Sequence, residues 1–153
     1  MKYAYHFVGK TLRDGRPIPK NGVWLEHDGE LSMCNTGLHA SIDPFDALQY
    51  APGNTLCRVV VGGKIIVGDD KLVASRRKII KRINGQKLMR QFACECALSV
   101  AHLWDMPPVV REYLTTRKES LRDAARDATW DAARDAQRKR FNAMVKAAFR
   151  SRA

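Results

Sequence analysis

No stretch of this chain approaches the roughly 18 consecutive apolar residues that a membrane-spanning helix needs. The opening residues Met1 to Phe7 lack the apolar run and small-residue cleavage site of a secretory signal. Together these absences predict a cytoplasmic protein. Cysteine is scarce, with Cys34, Cys57, Cys94 and Cys96 only. None forms a CxxC pair. Cys94 and Cys96 point apart on either a strand or a helix, so thiols are expected rather than disulfides. Cys34 and His39 are not at a standard zinc spacing, and no metal is assigned. There is no glycine loop of the kind that cradles phosphate and no nucleophile elbow. Those absences leave out the commonest nucleotide-hydrolysing and serine-hydrolase classes.

Acidic residues are also unevenly missing. Residues 1–75 hold 8 Lys/Arg and 8 Asp/Glu, whereas residues 76–90 hold 7 basic residues and no acidic one. Residues 117–153 hold 11 basic and 5 acidic residues. The net charge of +11 therefore resides in two blocks of the C-terminal half. Such asymmetry favours a polyanionic or acidic partner. The candidate basic surface comprises Arg76, Arg77, Lys78, Lys81, Arg82, Lys87 and Arg90, with Arg138, Lys139 and Arg140 in the tail. No helix-turn-helix, zinc finger or aromatic RNA-reading motif accompanies it.

What is present reads as an α+β protein. Residues 3–8 alternate and are rich in aromatics, as a strand should be. Residues 22–26 form a second short strand, and Asp28-Gly29 suggests a hairpin to a partner at 30–34. Residues 55–61 and 64–67 are β-branched and meet at Gly62-Gly63. Residues 72–80 fit a strand or a helix. Asp43 is placed to cap a helix, with Pro44 at its first position and Pro52-Gly53 beyond its end. Leu88, Met89, Phe92, Cys96, Val100 and Leu103 recur at helical spacing, predicting a long buried helix over 86–104. Pro108 opens another helix. A mixed, mainly antiparallel sheet packed on two helices is the expected core, over residues 1–116.

Residues 117–153 form a basic helical tail in the same reading. Its Arg-Asp-Ala repeat of four overshoots the helical turn, so the alanine stripe drifts around the axis. A steady apolar side returns only at Phe141, Met144, Val145 and Ala148.

Two resemblances follow from the segment Gly37-Leu38-His39-Ala40-Ser41. Together with His6 on the first strand and Ala47-x-x-Tyr50-Ala51, it resembles the ADP-ribosyltransferase-like superfamily over residues 3–67. That resemblance implies that His6 contacts the nicotinamide ribose of NAD. It implies that Tyr50 stacks on the nicotinamide and that an acidic residue lies further on. Glu95, on a predicted helix, and Asp69 and Asp70, in a turn, do not supply that residue. Gly37 to Ala40, Pro44, Tyr50 and Asp69-Asp70-Lys71-Leu72-Val73-Ala74-Ser75 are similar to a family of uncharacterised phage and prophage proteins. Members often carry Arg/Asp/Ala-rich tails.

The favoured expectation is thus a phage accessory protein without catalysis or cofactor. It would bind a host protein or protein–nucleic-acid complex through its basic surfaces, with interference in bacterial defence as one role. The alternative is an NAD-dependent ADP-ribosyltransferase-like enzyme with NAD as cofactor. Direct nucleic-acid binding is the third reading.

Overall fold

A computed structural model describes residues 1–150; the side chains of 135–137, 139–141 and 143–150 lie outside the described set. The chain divides into two compact units, Met1–Lys87 and Leu88–Ala153. The expected boundary near residue 116 falls inside the second unit.

The first unit contains β1 (Lys2–Val8), β2 (Trp24–Glu26), β3 (Leu38–Ala40), α1 (Pro44–Gln49), β4 (Thr55–Val67) and β5 (Leu72–Asn84). The strands form one five-stranded sheet in the order β1-β4-β5-β2, with β3 also on β5. Every pairing among these strands is antiparallel. The α+β class read from the sequence holds.

The frame of this unit is the hairpin of β4 and β5, 13 residues each. Its turn is closed by the Gly68 N–H donating to the Lys71 carbonyl at 2.8 Å. The two strands expected at 55–61 and 64–67 are one strand. Gly62-Gly63 does not separate them but makes a bulge, where the register against β5 slips. Gly63 has φ +70°, and a Cβ there would lie 2.1 Å from Ser75 Oγ. That hydroxyl accepts the Lys64 N–H at 3.0 Å, so the bulge is stitched to the partner strand.

Residues 72–80 are strand, and the strand runs on to Asn84. Pairing to β2, β3 and β4 supplies the partners that outweigh a mixed local propensity. The strand expected at 30–34 does not form, and β2 pairs with β5 instead. The segment folds back on itself. Thr36 Oγ1 donates to the Glu30 carbonyl at 2.6 Å, and the Ser32 and Asn35 N–H groups bond within the turn. Such local bonds compete directly with a ladder.

Inside the sheet, Ala4, Val8, Cys57, Val59, Val61, Leu72 and Ile79 form the core. Full burial of side chains such as Leu72 and Val59 contributes roughly 1.5–3 kcal/mol each. An isolated bridge joins Tyr5 to Ser41, with N–H···O distances of 2.7 and 2.9 Å. It ties the end of β3 back to β1. Helix α1 starts as predicted: Asp43 Oδ1 accepts the Phe45 N–H at 2.7 Å, and Pro44 occupies the first turn.

In the second unit, α2 (Gln86–Ser99) begins at the last residues of the first, where Asn84 Oδ1 accepts the Gln86 N–H at 3.0 Å. The helix expected over 86–104 stops at Ser99 and is followed by a 3-10 turn at Ala101–Leu103. Its expected buried stripe is not the buried one. Leu88, Phe92, Val100 and Leu103 are exposed, while Cys94 and Ala101 are buried. Lys87, Gln91 and Glu95 form a polar row beside Leu88–Phe92–Cys96, and the covered side of α2 is the one that carries Cys94.

Helix α3 (Pro108–Thr116) carries proline at its start and ends at Arg117 in the left-handed region, φ +56°. Its Val110 joins Ala125 of α4 (Arg122–Arg150) in a buried cluster with Ala101 and Met106 from the segment before α3, with Tyr113, Leu114 and Ala128 at the margin. Arg126 pairs with Asp123 at 3.2 Å, an i,i+3 contact on the helix surface. The predicted anchor at Phe141, Met144, Val145 and Ala148 lies outside the described residues. No helix among the described residues is long and apolar enough to cross a membrane.

Candidate functional site

Antiparallel register decides which side chains of β1, β4 and β5 share a face. His6 stands opposite Cys57, and Cys57 opposite Arg82. Lys2 stands opposite Val61, and Val61 opposite Arg77. The face that carries Ala4, Cys57 and Val59 into the core therefore also carries His6 and Arg77. Above the polar part of this face lies a cleft of about 900 Å³. Its wall is built from β1, the 9–14 segment, Cys34-Asn35, β3 with Ser41, the end of α1, Lys71 and Arg77. His6 and Tyr50, 44 positions apart in the chain, both line it. So does His39.

The geometry of the wall follows from the glycine before β3. Gly37 has φ +111°, and a Cβ there would approach Val73 Cγ2 to 2.5 Å and Leu31 Cδ2 to 2.8 Å. Only glycine permits both the backbone turn and that close approach. The turn delivers Leu38 and Ala40 inward, and His39 between them is half-buried. The Cys34 N–H donates to His39 Nε2 at 3.1 Å. That ring nitrogen is therefore an acceptor, and His39 is neutral with its proton on Nδ1. His39 is thus bonded to backbone within a tight turn. Among the described residues, no group of three or more His, Cys, Asp or Glu is arranged to hold a metal ion.

The cleft is electropositive. Arg77 is only 6% exposed, and its Nη1 donates to the His39 carbonyl. Burial pushes its pKa down to about 10, which leaves it charged at neutral pH. Desolvation lowers His6 well below 6.5, and the charges of Arg77 and His39 add to the shift. His39 is lowered chiefly by burial, against a hydrogen bond to the Gly37 backbone, with Arg77, Arg13 and Lys71 contributing. Two neutral imidazoles thus sit beside a buried cation. Asp14 is the sole carboxylate on the wall among the described residues, and Arg16 holds it at 2.6 Å, below the usual carboxylate range.

Tyr50 stands at the rim, 48% exposed. Its hydroxyl donates to Asp70 and accepts from Lys71 Nζ at 3.0 Å. Lys71 Nζ also lies 4.2 Å from the ring centroid. The ring is thus already a cation-binding face. Hydrogen bonds to Tyr50 and Cys34 raise Lys71 above its ordinary value.

The expected basic surface is broken up. Arg77 leaves it altogether, because it is buried at the cleft. Arg76 Nε pairs with Glu26 at 2.8 Å and its guanidinium lies over Trp24 at 4.7 Å. Lys78 lies over the same ring at 4.8 Å. Arg82 donates to Asn21 Oδ1 at 2.7 Å and to the Pro19 carbonyl at 2.6 Å, fastening the loop that precedes β2. Lys81 and Lys87 are exposed. In the second unit, Arg90 pairs with Glu119, and Arg138 is exposed. The side chains of Lys139 and Arg140 lie outside the described residues.

Sequence reasoning missed Arg77, His39 and Lys71 as cleft residues. For Arg77 a signal existed. In a strand, residue 77 shares a face with Ile79, whose apolar side chain must point inward. Reading Arg76-Arg77-Lys78 as one solvated block concealed that alternation.

No curated protein and no solved structure matches this chain. Residues 2–91, which include every strand and the whole cleft wall, match a domain of unknown function, DUF7666. The chain belongs to that family.

Proposed function

We propose that the cleft of the first unit binds NAD and that ADP-ribosyl transfer is the reaction class it serves. The observation that carries this reading is the convergence of His6 and Tyr50 on one cavity of nucleotide-holding size. The ADP-ribosyltransferase-like resemblance rested on the same two residues. Their roles in it are compatible with their settings. Tyr50 presents an exposed ring that already attracts an ammonium group, as a cationic nicotinamide ring would require. His6 is neutral and desolvated, suited to a hydrogen bond with a ribose hydroxyl rather than to an ion pair.

In the transfer, the nicotinamide–ribose C–N bond breaks and nicotinamide leaves with the bonding pair. An acceptor oxygen or nitrogen forms the new bond to that ribose carbon and loses its proton to solvent. The acidic residue implied by the resemblance is left unassigned, since Asp14 is tied to Arg16. The test is incubation with radiolabelled NAD and bacterial lysate. Label transferred to protein or nucleic acid, and lost in Tyr50→Ala, supports the enzyme. NAD bound without transfer leaves a binding protein. Absence of binding overturns the reading.

A second reading keeps the phage or prophage accessory role, with a host target held by the basic surface. Its support is the sheet face opposite the core, where Arg58 lies 5.1 Å from the Tyr3 ring and Arg76 and Lys78 flank Trp24. Aromatic rings among cations suit an acidic protein face or a single nucleic-acid strand. A pull-down from a bacterial host separates the two partners. If Arg58, Arg76, Lys78 and Lys81 can all be made Ser without loss of the captured partner, this reading is wrong.

A further inference from the structure

Among the described residues no carboxylate forms an ion pair with Arg77. Among the described residues its one hydrogen bond is to the His39 carbonyl, although a guanidinium carries five N–H donors. Among the described residues no buried side-chain nitrogen or oxygen is left without a partner, so the remaining Arg77 donors open on the cleft that the residue lines. A buried, unpaired cation is strongly unfavourable unless something compensates it. The surroundings make matters worse. Arg13 and Lys71 line the same cleft, and its single carboxylate, Asp14, faces Arg16.

We infer that Arg77 is the anchor of an oxyanion subsite that takes a phosphate or pyrophosphate group, with Lys71 as the second cation at its mouth. The planar fork of a guanidinium fixed by one bond to backbone offers two parallel donors to phosphate oxygens. Fixing the fork beforehand lowers the ordering entropy of binding. Asp14, across the cleft and bonded to Arg16, offsets this positive charge only in part, and the ligand neutralises the rest. The subsite deepens the NAD reading, since NAD carries a pyrophosphate, but it does not require NAD. Any ligand with a polyphosphate group would meet the same chemistry.

The test is binding of sodium pyrophosphate, ADP and NAD at constant ionic strength, measured by calorimetry and by the thermal unfolding midpoint. Wild-type protein should bind pyrophosphate and unfold at a higher temperature in its presence. Arg77→Met should weaken pyrophosphate and ADP binding about tenfold or more, the loss of a charge-assisted hydrogen bond. Its own unfolding midpoint without ligand should hold or rise, because a buried charge has been removed. Arg77→Lys should restore part of the affinity. If Arg77→Met proves poorly folded, Lys71→Gln, at a half-exposed position, should still weaken pyrophosphate severalfold. Equal pyrophosphate affinity in wild type and Arg77→Met, or no pyrophosphate binding by wild type, overturns the subsite. Pyrophosphate binding without NAD binding upholds the subsite and overturns the NAD reading. NAD binding unaffected by Arg77→Met does the reverse.

Discussion

Single residues set the chemistry of the cleft, and the clearest is a glycine. Gly37 combines a positive φ with side-chain atoms 2.5 and 2.8 Å from where a Cβ would be. Gly37→Ala should destabilise the protein by about 2 kcal/mol or more, read from urea denaturation. It should also displace His39 and weaken any cleft ligand. His6 and His39 make a second prediction, with a definite sign. Both have folded pKa values below 6.5, so the unfolded chain takes up protons first as pH falls. Stability is therefore greatest above 6.5 and is lost on acidification from there towards the depressed folded values. The urea midpoint should fall below pH 6.5, and His6→Gln should flatten the slope. A midpoint that rises on acidification would show that the imidazoles gain charge on folding.

At this scale the sequence was partly legible. His6 and Tyr50 stood out because a resemblance pointed to them. Arg77 did not, because charge was counted along the chain while burial alternates across a strand. His39 was readable as a turn residue, but nothing local to it reveals that its carbonyl holds a guanidinium from 38 positions away.

Secondary-structure elements were legible where their signals were local. Asp43 capping, Pro44 and the Gly68 turn are all governed by neighbouring residues, and each appears as predicted. Asp43→Ala should cost about 1 kcal/mol by the loss of that cap. Because α1 is only 6 residues long and leads into Tyr50, the same change should loosen the Tyr50 rim. Hydrogen exchange at 44–50 faster than in wild type, with β4 and β5 unchanged, is the expected pattern. Uniform acceleration across the sheet would mean that the cap matters to the whole unit.

Elements that depend on distant partners were read less well. The strand predicted at 30–34 did not add to β2, which stands at the edge of the sheet, because the segment satisfies its polar groups within its own turn. Gly62-Gly63 looks like punctuation in a linear reading. Only a partner strand carrying Ser75 turns it into a bulge. The 86–104 helix was found but its buried face was not, because hydrophobic spacing names a stripe without naming what covers it.

For the molecule as a whole, the net charge of +11 suggested a protein acting through its surface. The fold redistributes that charge. One arginine of the basic block enters the cleft, another meets Glu26, and a third fastens a loop. Of that block Arg76, Lys81 and Lys87 stay exposed, while the cleft acquires a positive interior that a linear tally does not reveal. Composition raised the expectation of an anionic partner, and the fold places a buried guanidinium at a concave site within residues 2–91, the span matched to the family.

The most direct test is an NMR titration of isotopically labelled protein with NAD, following the His6 and His39 imidazoles, the Tyr50 amide and the Arg77 side chain against Lys78 and Lys81. The account predicts saturable shifts at the four cleft residues, little change at the two lysines, and loss of the response in Tyr50→Ala. No shift at any cleft residue at millimolar NAD, or shifts confined to Lys78 and Lys81, would contradict it.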